Sequence, residues 1–222
     1  MLPAETTTDH DATGSEQVAD FGGLEIRWDS RVLRPRPWTT AQSHWVAALA
    51  DGGAPGPILE LCCGAGQIGL LAASLTGRDL VQVDRDPVAA DYARRNATLA
   101  GVAADVRVGS LTDALEPGEL FGLAILDPPW VPSADVPNFP EDPVGAIDGG
   151  LDGSDQLLLG LGVALRHLAP GGYLVVQVGS HEQVSIVERL VDGIRGGSSG
   201  WRVLEVRDYL PGGLLVAIGD QR

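Results

Sequence analysis

Three groups of residues have the types and spacing for chemistry. A short apolar run, Ile58-Leu59-Glu60-Leu61, leads through Cys62-Cys63 into Gly64-Ala65-Gly66 and then a helical pattern. Glycines at a strand-to-helix turn permit a tight bend and let the backbone come close to a ligand. The run Leu80–Val83 ends in Asp84, 20 residues after Gly64. A carboxylate there can accept bonds from both hydroxyls of a ribose. Asp86 precedes Pro87, a first-turn proline, and so reads as a helix cap, which leaves Asp84 free. Turn and acid together point to an adenosine-type ligand. The third group is Asp127-Pro128-Pro129-Trp130, at the end of the run Leu123–Leu126. Two prolines stiffen the turn and carry no N–H, so their carbonyls stay available as acceptors. A carboxylate, a carbonyl and a flat aromatic wall suit a planar amino or amide NH2 group. The two acceptors hold its hydrogens and turn the nitrogen lone pair towards an electrophile.

The elements that position these residues alternate. Ile58–Leu61, Leu80–Val83, Val106–Val108, Leu123–Leu126 and Tyr173–Val178 read as strands, and Gln67–Leu75, Pro87–Ala100, Gln156–Leu168 and His181–Ile194 as helices. Such alternation predicts right-handed βαβ units and a parallel sheet covered by helices on both faces. At the end, only Leu210-Pro211-Gly212-Gly213 separates Trp201–Tyr209 from Leu214–Ile218. Four residues cannot hold a crossover helix, so one strand near the C-terminus is antiparallel. The fold class is therefore α/β, a Rossmann-like, doubly wound, seven-stranded sheet. Residues 1–20 are polar, without periodicity, and read as a disordered arm. Residues 21–34 are predicted to form a β-hairpin around Asp29-Ser30. Pro35-Arg36-Pro37 is extended, Thr39 or Thr40 is expected to cap a helix to about Ala50, and Gly193–Gly200 reads as a surface loop. Residues 21–222 form one domain. The long stretch Ala134–Gly153 reads as a substrate loop.

Composition narrows the acceptor. Over 222 residues, 15 basic and 30 acidic side chains give a net charge of −15. That argues against naked nucleic acid as partner, with Arg27, Arg31, Arg34 and Arg36 the one local basic cluster. Cys62 and Cys63 have no other cysteine to pair with and read as small packing residues. No run of about 18 apolar residues spans a membrane and residues 1–20 lack a signal-peptide core, so the cytoplasm is the expected compartment. His44, His167 and His181 show no metal spacing, and no metal is expected. Trp28 and Trp38 read as core residues or a lid, and His44 as a possible wall of the pocket.

The motifs resemble those of class I S-adenosylmethionine-dependent methyltransferases with a D/N-P-P-Y/F/W motif, and most closely the release-factor glutamine methyltransferase family. The likeness runs from about Phe21 to Gly219. Val32-Leu33-Arg34-Pro35-Arg36-Pro37 is similar to that family's V-L-x-P-R-P segment, and Asp142–Gly153 to its E-P-x-x-A-L-x-G-G-x-D-G loop. Pro170-Gly171-Gly172-Tyr173 resembles its P-G-G turn, and Arg207-Asp208 with Gly212 its ending. The resemblance implies S-adenosylmethionine as cofactor. Glu60 would hold its ammonium group, Cys62, Gly64 and Gly66 would flank its methionine part, and Asp84 would take the ribose, with Arg85 in the same site. Ser110 and Leu111 would frame the adenine, and Asp127, Pro128 and Trp130 would hold the acceptor nitrogen.

Departures from the family bear on the acceptor. Asp127 stands where the family has Asn, Trp38-Thr39-Thr40 follows where it has an acidic pair, Cys62 replaces its first motif glycine, and Ser110 replaces an acid. Only about 20 polar residues precede Phe21, so no counterpart of the family's N-terminal helical domain is expected. An ionised Asp accepts hydrogen bonds and cannot donate them, whereas Asn does both. That change favours an amine over a glutamine amide, whose oxygen wants a donor. The expected activity is N-methylation of an amine or amide on a small molecule, peptide or protein side chain. Two alternatives stay open: cyclisation or elimination on the cofactor itself, releasing methylthioadenosine, and methylation of a nucleic-acid amino group.

Overall fold

The computed structural model describes residues 14–195 and 200–220. A hairpin of β1 (Gln17–Phe21) and β2 (Leu24–Trp28) leads into α1 (Thr40–Leu49). Then follow β3 (Ile58–Leu61), α2 (Gln67–Thr76), β4 (Leu80–Asp84), α3 (Pro87–Ala100), β5 (Ala104–Val108) and β6 (Phe121–Leu126). A one-turn helix α4 (Val144–Ile147) precedes α5 (Asp155–His167), β7 (Leu168–Val178), α6 (His181–Arg195), β8 (Trp201–Asp208) and β9 (Leu214–Asp220).

The seven-stranded sheet has the order β5-β4-β3-β6-β7-β9-β8. Strands β3 to β7 are parallel, and β9 runs antiparallel between β7 and β8. The reversed strand therefore lies inside the sheet and not at its edge. Side chains alternate between the two faces of a strand, and here both sets are apolar. Leu59, Leu61, Ala124, Leu126, Leu174 and Val176 pack with Leu157 and Leu161 of α5 and Val184 and Val187 of α6. Ile58, Leu123, Ile125 and Val175 pack on the other face with Trp45 of α1, Ile68 of α2, Tyr92 of α3, and Phe21 and Ile26 of the hairpin. The chain winds outward from β3 to β5, then returns to lay β6 on the other side of β3. Such a switch in winding opens a crevice beyond the carboxyl ends of the strands. Among the described residues no helix is long and apolar enough to cross a membrane.

The hairpin lies earlier than the sequence suggests. Its turn is Gly22-Gly23, both at positive φ (62° and 88°), the pair of angles that a two-residue hairpin turn requires. Gln17–Asp20, read as part of a disordered arm, are strand; residues 1–13 lie outside the described residues. Asp29 closes a tight turn instead: it is 2% exposed and accepts bonds from the Arg31 backbone and guanidinium and from the Tyr92 hydroxyl. Helix α1 begins at Thr40, yet neither threonine caps it. Thr39 Oγ1 donates to the Arg36 carbonyl and Thr40 Oγ1 to that of Pro37, across a 3-10 turn. Asp86 does cap α3, its carboxylate accepting the Val88 N–H at 2.8 Å. Of the expected loop at 193–200, residues 193–195 continue α6 and residues 196–199 lie outside the described residues.

Candidate active site

Two cavities open at the carboxyl ends of β3, β4, β5 and β6. The larger, of about 640 Å3, is lined by Cys62, Gly64, Asp84, Arg85, Ser110, Leu111 and Asp127 among others. The smaller, of about 310 Å3, is lined by Trp38, Asp127, Pro128, Trp130, Arg36 and Gln177 among others. Asp127 lines both, as do Leu33, Gln67, Pro129 and Ala146, so the two spaces adjoin there.

The turn after β3 is held by backbone geometry and by acids. Gly64 (φ 54°) and Gly66 (φ 85°) are left-handed, as is Cys62 (φ 60°), the one non-glycine residue at positive φ among the described residues. A Cβ at Gly64 would meet no atom within 4 Å, so its backbone faces open space in the larger cavity. Gly66 lines neither cavity. A Cβ there would stand 2.8 Å from Gln82 Nε2 and 3.2 Å from Ala93 Cα. Gly66→Ala should therefore destabilise the fold by about 2–5 kcal/mol, from a left-handed Cβ and overpacking. A denaturant titration checks this, and an unchanged midpoint would sink it.

Asp84 is preorganised. Its Oδ2 accepts the Gly64 N–H at 2.8 Å and its Oδ1 the Asp86 N–H at 2.9 Å. Burial pushes its carboxyl above the usual carboxylate range, and those two amides pull it back. Each oxygen keeps a lone pair towards the cavity. Glu60 departs from its expected place. It is 1% exposed, lines neither cavity, and turns under the glycine turn. Oε1 accepts the Gly69 N–H at 3.0 Å and Oε2 accepts Gln82 Nε2 at 2.5 Å; that same nitrogen reaches the Gly66 carbonyl at 3.0 Å. Burial pushes Glu60 up to about 8, against those bonds. Glu60 braces the turn from behind, because α2 and β4 bring donors to it before any ligand can.

Asp127 lies in the smaller cavity's floor. Burial pushes its carboxyl up to about 7, with the Arg36 guanidinium opposing. The Trp130 ring lies across Gly179, where any Cβ would collide with it. Gln183, unremarked in the sequence, locks this wall: Nε2 donates to the Trp130 carbonyl (2.9 Å) and the Gly153 carbonyl (3.0 Å), and Oε1 accepts the Gly179 N–H (2.7 Å). The Asp142–Gly153 loop lies flat on the motif. Gly149 N–H donates to the Val131 carbonyl at 2.8 Å, and a Cβ at Gly149 would stand 2.8 Å from the Pro129 oxygen. Arg36 pairs with buried Asp142 at 2.6 Å, and Arg85 Nη2 donates to the Gly145 carbonyl at 2.8 Å, tying that loop over both cavities.

Other residues settle into plainer places. Trp38 walls the smaller cavity and meets Tyr209 with ring centroids 5.9 Å apart. Trp28 packs with the hairpin-side core beneath Arg34, and His44 is exposed and lines neither cavity. Burial pushes both cysteine thiols well up, which suits packing and not nucleophilic attack. Among the described residues no His, Cys, Asp and Glu group could hold a metal.

Comparison with known proteins bears on this arrangement. Residues 44–138 match the family model of the methyltransferase small domain. The release factor glutamine methyltransferase of Deinococcus radiodurans is 29% identical over 87% of this chain and 68% of its own length. Those of Geobacter sulfurreducens and Mycobacterium leprae are 34% and 36% identical, each over 72% of this chain and 57% and 58% of their own lengths. Together these matches make the chain an S-adenosylmethionine-dependent methyltransferase. It spans 57–68% of the length of these three relatives. The fold of this methyltransferase is similar to a methyltransferase from Pyrococcus furiosus, with a TM-score of 0.63 at 19% identity over 88% of each chain. It is also similar to a ribosomal protein L11 methylase from Lactobacillus delbrueckii, with a TM-score of 0.62 at 14% identity over 86% of this chain and 82% of that one.

Proposed function

We propose that this methyltransferase methylates the side-chain nitrogen of a primary carboxamide in a peptide or protein. One observation carries the reading: Asp127, with the Pro128 carbonyl beside it, sits where a large cavity and a smaller one meet. The larger cavity fits the cofactor. Asp84 offers two lone pairs for ribose hydroxyls, Gly64 presents bare backbone, and Ser110 and Leu111 lie along the wall. The smaller cavity opens past exposed Arg34, Arg36, Phe139 and Pro211, so a side chain can enter while its main chain stays outside. The relatives named as glutamine methyltransferases support a carboxamide as the group that enters.

S-adenosylmethionine supplies an electrophilic methyl group on a sulfonium. The chain's residues hold the nucleophile. The Asp127 carboxylate accepts one N–H, the Pro128 carbonyl the other, and Trp130 walls the amide plane. Such positioning is worth up to about 7–11 kcal/mol. The nitrogen gains a carbon bond and sheds one proton, and Asp127, pushed up to about 7, stands ready to take it.

An amine acceptor is the second reading, favoured by the carboxylate of Asp127 where the family has Asn. The two are separated by pH. At saturating cofactor, kcat/KM for the acceptor should rise with pH to a break at or below about 7, because Asp127 must ionise and a cationic cofactor in the adjoining cavity favours its carboxylate. With a carboxamide the profile is then flat, since that group is neutral and does not titrate in this range. A lysine-type amine, with a pKa of about 10.4, would keep the rate rising well above pH 8. The substrate test incubates the enzyme and methyl-labelled cofactor with an intact release factor and with peptides bearing glutamine or lysine. Mass spectrometry locates the label. Label on lysine, or methylthioadenosine in place of S-adenosylhomocysteine, would overturn the carboxamide reading.

A further inference from the structure

A polar residue stands out in the apolar strand β7. Gln177 is 5% exposed, and its Oε1 is buried with no hydrogen-bond partner. Buried polar groups are normally paired, and each exception asks for a reason. Oε1 of Gln42, Gln67 and Gln82 is likewise buried without a partner, but Gln82 braces Glu60 and Gly66 through Nε2, Gln42 Nε2 donates to the Val175 carbonyl, and Gln183 ties three segments together. Gln177 has no such task. It lines the smaller cavity.

Its position follows from sheet register. Leu126 of β6 pairs with Val176 of β7, and both pack on the same face. Gln177 therefore leaves β7 on the opposite face, and Asp127 is the first residue beyond β6. Both line the smaller cavity, at the ends of adjacent parallel strands whose axes lie about 5 Å apart. Asp127 presents only acceptors when ionised. A carboxamide presents a donor as well as an acceptor, and a half-turn about its last bond exchanges the two.

We propose that Gln177 determines acceptor specificity by donating its Nε2–H to the carbonyl oxygen of the incoming carboxamide. The inference rests on the carboxamide reading given above. With Asp127 and the Pro128 carbonyl on the two N–H bonds and Gln177 on the oxygen, every polar edge of a primary carboxamide is met. An amine, which has no carbonyl oxygen, leaves the Gln177 Nε2–H donor unmatched, and a site built around a hydrogen bond rejects ligands that lack the matching group. The donor that an Asn would supply in the motif comes here from the neighbouring strand.

Small probes test this without knowledge of the natural acceptor. Propionamide and propylamine are titrated, by saturation-transfer NMR, into wild type and Gln177→Leu, each saturated with S-adenosylhomocysteine. Wild type should bind propionamide, and Gln177→Leu should bind it at least tenfold more weakly. The affinity for S-adenosylhomocysteine should stay within twofold, since Gln177 lies outside the larger cavity. Equal propionamide binding by the two proteins would overturn the role of Gln177 alone. Wild type that binds propylamine, or neither probe, would overturn the carboxamide reading with it. Should Gln177→Leu also lose S-adenosylhomocysteine, Gln177→Met decides, because it keeps the length of the side chain and removes the donor. Unchanged propionamide binding by that variant overturns the proposal, and a tenfold loss supports it.

Discussion

Asp127→Ala should lower methyl transfer by about 10²–10⁴-fold, the range of a lost acid–base group, while S-adenosylhomocysteine still binds. Burial pushes the carboxyl up to about 7 against the pull of Arg36, and its charge repels that of Glu60, so the fold gains little from it. Its value lies in what it can hold. The sign of its effect on stability is opposite to its effect on activity. A carboxyl whose pKa is raised on folding disfavours the native state as pH climbs from its ordinary value towards 7. That cost is absent at pH 3 and complete above 7. Asp127→Ala should thus be more stable than wild type at pH 8, by about 1–2 kcal/mol once solvent screening is allowed for, and no more stable at pH 3. Thermal melts at both pH values check this beside the transfer assay. Asp127→Asn adds a second arm. It keeps an acceptor oxygen but cannot take the proton, so transfer should fall between wild type and Asp127→Ala. Retained transfer in Asp127→Ala would remove Asp127 from the mechanism.

Asp84→Ala should weaken S-adenosylhomocysteine by about 10²–10⁴-fold, since two charge-assisted bonds to ribose are worth about 1.5–3 kcal/mol each. The geometry makes the loss double. Asp84 also holds the Gly64 and Asp86 amides at 2.8 and 2.9 Å, so alanine leaves two donors unpaired in the turn that must face the ligand. Asp84→Asn keeps the shape and one acceptor oxygen, and should fall between wild type and alanine. Calorimetry with S-adenosylhomocysteine reads all three. An unchanged affinity in Asp84→Ala would mean that the larger cavity is not where the adenosine part binds.

Much of this was legible in local patterns. Apolar strands joined by helical runs specify a parallel sheet, and only five residues between Trp201–Asp208 and Leu214–Asp220 force one strand to reverse. The Gly64–Gly66 turn, Asp84 and the Asp127–Trp130 motif all sit at strand ends, where turn chemistry is read from neighbouring residues. The hairpin was misplaced because β1 is mostly exposed and carries little periodicity, although Gly22-Gly23 was the available turn signal.

The partners of buried polar groups were another matter. Glu60 faces a brace and not a ligand because Gly69 and Gln82, distant in the chain, reach it first. Arg36 meets Asp142 across 106 residues of chain. Gln177 stands beside Asp127 only because Leu126 pairs with Val176. Its one trace in the sequence was a lone polar residue in an apolar strand. Propensity and spacing act over a few residues, so by themselves they determined the fold class and pointed to an adenosine-type ligand, while S-adenosylmethionine came from the resemblance of whole motifs to a family. Strand order and register act across the whole chain, and they alone decided which side chains close the smaller cavity.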